Sequence, residues 1–245
     1  MVGYNAAIYH NQQSFFGLKS MVVEIAFLHN SPYFSNLNDE ELNLLRKIVF
    51  EKVFERGGLI ALEGEPAEAL YFVFSGAVKI FKTSSDGKEQ IFSIARPGES
   101  FNDVPIFDGA PNPFSAGPMG PVIIYGIEKR EFDKILRNNS QLALNVINVL
   151  ASRVRHLTSL VEDLSFRPVF RRVAKILLEY AGDGTGAIQR LTQQEMAALA
   201  GTAREVVARS LKALESRGAL RMDHRRIVIT DREVLKDAAG ASFGD

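Results

Sequence analysis

Residues 191–215, LTQQEMAALAGTAREVVARSLKALE, constrain this chain more than any other stretch. Apolar residues recur at helical spacing on both sides of Gly201, which predicts two short helices meeting at a tight turn. Glycine supplies the permissive backbone such a turn needs. Gln194, Met196, Ala197, Leu199 and Ala200 give the first helix a partly apolar face. Val206, Val207, Ser210, Leu211 and Leu214 include a core-facing stripe for the second. The other side of that second helix carries Arg204 and Glu205 in its first turn and Arg209 about one turn later. First-turn residues of a helix lying in the DNA major groove meet base edges, where Arg pairs bidentately with guanine and Glu accepts from cytosine. Thr192, Gln193 and Thr202 are candidates for phosphate contacts, and Lys212 is a further DNA-binding candidate. An i,i+4 ion pair between Glu205 and Arg209 is the simplest alternative. It explains neither the glycine turn nor the charge around it.

That charge is local. The chain has 29 Lys and Arg against 29 Asp and Glu, yet residues 165–236 hold 14 of the former and 8 of the latter. A basic segment on a neutral protein points to a polyanion partner. ALRMDHRRIVITD, just downstream, reads as two short strands around a polar turn at Asp223–Arg225, a small wing. Upstream, Arg167-Pro168 marks a break before the helix VFRRVAKILLEYA, because the residue before proline avoids helix. GDGTG at 182–186 superficially resembles a nucleotide loop but follows a helix rather than a strand, so a plain turn is expected.

Residues 130–164 are predicted to be helical. Within them Ala143, Ile147, Leu150, Val154, Leu157, Val161 and Leu164 repeat with a 3.5-residue period, a coiled-coil seam that asks for a second chain. Residues 52–128 differ: apolar stretches such as LYFVFSGAVKIF are punctuated by glycines at 64, 76, 87, 98 and 109. Short strands with turn signals at that spacing predict an all-β sandwich or barrel, with Asp86-Gly87 as a hairpin turn. Asn38 is predicted to cap a short helix, with Glu41 completing a capping box. The expected organisation is α+β: an arm at 1–23, a sensor domain at 24–129, a dimerisation helix at 130–164, a DNA-binding domain at 165–236 and a tail at 237–245. With 245 residues, each of the two domains is expected to own a core.

The absence of cysteine excludes disulfides, a thiol nucleophile and a cysteine-ligated iron–sulfur cluster. The N-terminus lacks the features of a signal peptide, and no apolar run approaches membrane-spanning length, so a cytoplasmic protein with no membrane partner is expected. No phosphate-binding loop motif supports an enzyme. No His, Asp and Glu cluster has metal-ligand spacing.

LTQQEMAALAGTAREVVARSLKALESRGAL closely resembles the winged helix-turn-helix of the CRP/FNR family of bacterial transcription regulators. The domain order is similar too: a cyclic-nucleotide-binding-like β-roll of double-stranded β-helix type, then a long dimerisation helix. The resemblance covers roughly residues 30–236. It implies a homodimer acting as an activator, a TGTGA-like palindromic operator, RNA polymerase as a partner and a small-molecule effector held by the β-roll. Arg204, Glu205 and Arg209 match the family's base-reading positions.

The resemblance places the effector pocket at residues 97–116 and at Leu157 and Thr158 of the long helix, with Asn102, Asp103, Val104, Asn112, Pro113, Phe114 and Ser115 as its candidate residues. Here the chain departs from cyclic-AMP binders. Asp103 stands at the ribose-binding Glu, Pro113 at the phosphate-binding Arg and Phe114 at the Ser. Without that Arg a phosphate loses its charge-assisted partner. Cyclic AMP is therefore not the expected effector. Haem with a diatomic gas, as in a nitrosative-stress sensor, an aromatic or organic acid, or no ligand remain open, as does an adaptor module without a DNA role. Phe72, Phe74, Phe92, Phe101, Phe107 and Phe114 predict a fairly apolar cavity. Of His10, His29, His156 and His224, His156 and His29 are the candidates for a haem ligand.

Overall fold

The computed structural model describes residues 25–180, 191–223 and 226–240. The arm expected at 1–23, His10, GDGTG, His224 with Arg225 of the wing turn, and residues 241–245 of the tail lie outside the described residues.

Helix α1 (Ile25–Asn30), a 3-10 turn (Pro32–Phe34) and α2 (Asp39–Ile48) precede the first strand. Asn38 caps α2 as its sequence predicts. Its side chain accepts from Glu41 N at 3.0 Å, and Glu41 Oε2 accepts from Asn38 N at 2.8 Å. The strands follow: β1 (Val49–Phe54), β2 (Ala69–Ser75), β3 (Val78–Thr83), β4 (Glu89–Ala95), β5 (Ser100–Phe101), β6 (Ser115–Pro118) and β7 (Val122–Glu128), with the short α3 (Val104–Asp108) between β5 and β6. They form two antiparallel sheets, one ordered β1-β7-β2-β5 and one ordered β4-β3-β6. The β3–β4 hairpin turns at Asp86-Gly87, with Thr83 paired to Glu89.

The register explains why β2 reads as an unbroken apolar run. Ala69, Tyr71 and Val73 point between the sheets toward Val78, Phe101, Ala116 and Ile124. Leu70 and Phe72 point the other way, into a cluster with Tyr33, Phe34, Leu42, Leu45, Phe132, Leu142 and Val146. A strand buried on both faces loses the alternation of a half-exposed one.

The helical stretch expected as one element over 130–164 is two. Helix α4 (Lys129–Asn138) ends before Asn139, and α5 runs from Ser140 to Phe166. Asn139 is the reason for the break. Its Oδ1 accepts from Leu142 N at 2.8 Å, capping α5, and its Nδ2 donates to Glu41 Oε1 at 2.5 Å. Asparagine caps helices better than it continues them. Beyond Arg167-Pro168 come α6 (Val169–Tyr180), α7 (Gln193–Ala200), α8 (Arg204–Ser216), the β8–β9 hairpin (Leu220–Asp223 and Arg226–Ile229) and α9 (Arg232–Ala239).

The C-terminal unit does not own a separate core. Ala77, Ile91, Ile94 and Met119 of the β-domain share one apolar cluster with Val173, Ala197, Leu199, Leu211 and Leu214. Arg56 also reaches Glu195 at 3.7 Å. The three-stranded sheet has an apolar outer face, and α7 offers small alanines that let the sheet approach closely.

Candidate functional site

The helix-turn-helix forms as its spacing predicts. Thr192 caps α7 in a capping box: its Oγ1 accepts from Glu195 N at 3.1 Å, and Glu195 Oε2 accepts from Thr192 N at 2.7 Å. Gly201 ends the helix at φ 60°, in the left-handed region that favours glycine. A Cβ there would lie 2.8 Å from Leu164 Cδ2 and 3.1 Å from Gln90 Oε1, so the ends of these two side chains would have to shift. Three residues later α8 begins. Val207, Ser210, Leu211 and Leu214 face its core, with the Ser210 hydroxyl satisfied by Val206 O at 2.9 Å.

Arg204, Glu205, Arg209 and Lys212 are all exposed on the opposite side of α8. Among the described residues no ion pair joins Glu205 to Arg209, so both head groups face solvent rather than each other. Thr192 is exposed at the start of α7, Gln193 half-buried beside it, and Thr202 half-buried in the turn. The arrangement presents three cations, one carboxylate and neutral polar groups beside two helices. That is the chemistry of groove reading with flanking phosphate contacts.

The 97–116 segment is organised differently from an open anion site. It contains no Lys or Arg. Asp103 is buried, and its carboxylate is already occupied. The Tyr33 hydroxyl donates to Oδ2 at 2.7 Å, Arg153 Nη2 pairs with Oδ2 at 2.8 Å, and Val104 N donates to Oδ1 at 3.1 Å. Arg153 also donates to the carbonyl and hydroxyl oxygens of Ser100, at 2.6 and 2.9 Å. Burial, and then the Asp103 charge, push the Tyr33 hydroxyl pKa far above its ordinary 10.0.

The remaining pocket candidates do not converge. Asn102 adopts φ 65° and spends its amide on Ala69 O at 2.9 Å. Val104 is exposed. Asn112 is buried, and Ser115, also buried, accepts from Glu63 N at 3.1 Å. Pro113 is half-buried, and Phe114 packs on Phe92 with ring centroids 4.9 Å apart. Leu157 and Thr158 lie on the exposed side of α5, where the Thr158 hydroxyl donates to Val154 O at 2.9 Å. The candidate residues themselves bring no Lys or Arg to a cyclic phosphate, and the carboxylate matched to the ribose is already engaged by Tyr33 and Arg153.

The six phenylalanines expected around one apolar cavity divide among three places. Phe72, Phe74 and Phe107 share the helix-covered cluster, and Phe92 packs on Phe114. Phe101 lies between the sheets, and Phe107 packs on Phe132.

A cleft of about 720 Å³ instead runs between α5, β4 and the end of α6. Tyr33, Ser93, Arg96, Arg153, His156 and Tyr180 are among its lining residues. None of the nine residues expected in the pocket lines it. Arg96 lies 4.6 Å from the Tyr180 ring centroid and donates to Glu179 O at 3.1 Å, joining the β-domain to α6. Burial, reinforced by Glu179, pushes the Tyr180 pKa up to about 12. His156 belongs to this cleft, with Nε2 3.1 Å from Phe92 O, while His29 lies apart, 3.6 Å from Asp39. Among the described residues no group of His, Cys, Asp and Glu is placed to hold a metal ion.

The seam positions divide. Ile147, Val154, Leu157, Val161 and Leu164 are exposed, the first, second and fourth by about 60%. Leu150 is half-buried against the chain's own core, and Leu164 abuts Gly201. Sequence reasoning missed Arg153, which sits on the inward side of α5 among seam residues. It also missed Tyr33, whose partner is 70 residues away, and Arg172, which resembles any basic residue of a basic domain.

Comparisons with known proteins agree with this geometry. Residues 51–139 match the cyclic nucleotide-binding domain family, and residues 171–238 match the Crp-like helix-turn-helix domain family. The chain is 30% identical to the "Cyclic AMP receptor protein" of Thermus thermophilus, over 86% of this chain and 98% of that one. It is 34% identical to the "CRP-like cAMP-activated global transcriptional regulator" of Mycobacterium tuberculosis, over 74% and 84%. Among solved structures, FixK2 from Bradyrhizobium japonicum superposes with a TM-score of 0.73 at 26% identity, covering 80% of this chain and all of that one. With a nucleotide-binding-type β-domain, a long helix and a helix-turn-helix in the same order, the chain belongs to the CRP/FNR family of DNA-binding transcription regulators.

Proposed function

We propose that this regulator works in the cytoplasm as a homodimer that binds a TGTGA-like palindrome, contacts RNA polymerase there, and answers to an effector other than cyclic AMP. The observation that carries the DNA reading is the outward row of Arg204, Glu205, Arg209 and Lys212 on α8, opposite a fully packed inner face. The exposed apolar stripe on α5 supports the dimer, because a run of that length on one helix face is rarely left to water. Two-fold symmetry then asks for half-sites about one helical turn apart.

The cleft beside Arg153 supports the sensing role. It touches the β-domain, the long helix and the DNA-binding unit at once, so an occupant bears on all three. An effector with different affinity for two arrangements shifts their populations, and a difference of a few kcal/mol is enough. An absorbance spectrum and mass analysis of the purified protein test the occupant. A small co-purified mass fits this reading, and a Soret band would instead favour haem on His156.

The test of DNA reading is fluorescence anisotropy with palindromes carrying single-base changes. Arg204→Ala weakens binding to the intact site and flattens the preference at its base. Equal losses on every sequence would reduce these residues to phosphate contacts and overturn the assignment.

A further inference from the structure

Arg172 lies in α6, away from the reading face, and its guanidinium is committed to carbonyl oxygens at two helix ends. Its Nε donates to Ala200 O at 2.9 Å, the last residue of α7 before Gly201. Its Nη1 donates to Arg167 O at 2.7 Å and approaches Asp163 O and Leu164 O at 3.3 and 3.5 Å, at the C-terminal end of α5. Helix C-termini concentrate unpaired carbonyls and partial negative charge, so a cation shared between two of them binds both.

A second set of contacts fixes the same junction. Asp163, 7% exposed, takes Arg167 Nε at 2.8 Å and Lys175 Nζ at 2.5 Å. Lys175 also donates to Ser159 Oγ at 3.2 Å, so α6 is tied to the last two turns of α5. Leu164 packs directly against Gly201, its Cδ2 2.8 Å from where a Cβ would stand. The exposed seam of α5 therefore ends directly on the turn from which α8 starts. The angle at which α8 leaves the long helix is set at this point.

We propose that Arg172 is a positioning residue for DNA reading: by joining the end of α5 to the turn at Gly201, it fixes the separation of the two α8 helices in the dimer and so the half-site spacing the protein accepts. The inference rests on the two-headed reading given above. It assigns Arg172 no contact with DNA, since its Nε and Nη1 are engaged with carbonyl oxygens inside the protein.

The experiment uses the full-length protein and anisotropy titrations on palindromes whose spacer changes by single base pairs, on a duplex with one half-site, and over a salt series. Arg172→Met removes the cation and keeps the stem. It should weaken binding at the preferred spacer by about tenfold and bring the other spacers level with it. Half-site affinity and the salt slope should not change, because no phosphate contact is lost. Arg172→Lys keeps the charge, but a single ammonium does not span both helix ends; it should show the same flattening. If Arg172→Met fails by circular dichroism or sedimentation, Arg172→Lys decides alone. A spacer preference that survives in the folded variant overturns the inference, and so does an equal loss on half-site and palindrome with a shallower salt slope. A wild-type protein without any spacer preference overturns both the inference and the two-headed reading. A wild-type preference with Arg172 variants unchanged overturns the inference alone.

Discussion

At the scale of residues, two kinds of side chain matter, and they differ in how visible they are in the sequence. Arg204 and Arg209 are legible because a helix-turn-helix fixes which positions face outward; removing either should cost roughly 1–3 kcal/mol at the cognate site and relax specificity there. Titration against matched and mismatched duplexes checks this. Tyr33, Asp103 and Arg153 are not legible, because they meet only after the chain has folded across separations of 70 and 50 residues. The sequence marks Asp103 as a departure from a ribose-binding Glu, but it does not reveal that Tyr33 fills the role of its partner. Tyr33→Phe should destabilise the protein by about 1–3 kcal/mol, since it leaves a buried carboxylate short of one donor. The pH dependence follows from the raised Tyr33 pKa. The folded state holds this proton more tightly than the unfolded chain, so stability is intact below the ordinary tyrosine value of 10.0 and falls as pH rises above it. Chemical denaturation between pH 8 and about 11 should show a shallower alkaline decline for Tyr33→Phe than for the unchanged protein.

At the scale of elements, periodicity exposed the seam and the strands, while polar caps set the boundaries that periodicity overlooked. The helical expectation for 130–164 runs straight through Asn139, yet the helix restarts there because the asparagine Oδ1 accepts from Leu142 N in the first turn of α5. The exposed stripe from Ile147 to Leu164 matches the repeat, whereas Leu150 turned inward because the β-domain's own apolar cluster lies within its reach. Leu157→Asp should leave a monomer at micromolar concentration in sedimentation, as it places an unpaired charge in the proposed seam. A dimer of unchanged stability would remove α5 as the interface. The turn between α7 and α8 gives a further expectation. Gly201→Ala forces a left-handed backbone on an L-residue, about 1–2 kcal/mol, and pushes a methyl toward Leu164 and Gln90. A calorimetric Tm lower by several degrees is expected, with DNA affinity falling more than stability alone explains.

At the scale of the whole molecule, the sequence conveyed domain order but not how the domains join. Local pattern locates each element's apolar face; it does not say that the outer face of the β4-β3-β6 sheet and the alanines of α7 cover one another. Nor does it show the cleft among α5, β4 and α6, because Ser93, Arg153 and Tyr180 are scattered along the chain and none belongs to a motif. The β-domain and the helix-turn-helix unit share one core cluster and line one cleft, so packed atoms join them. The central claim is that two chains place two α8 helices on one palindrome. Its most direct test is the stoichiometry and salt dependence of binding, measured by analytical ultracentrifugation of labelled duplex with the full-length protein. Two chains per TGTGA-like palindrome, with affinity falling steeply as salt rises, is the predicted result. One chain per duplex, or equal binding to a scrambled sequence at every salt concentration, would contradict it.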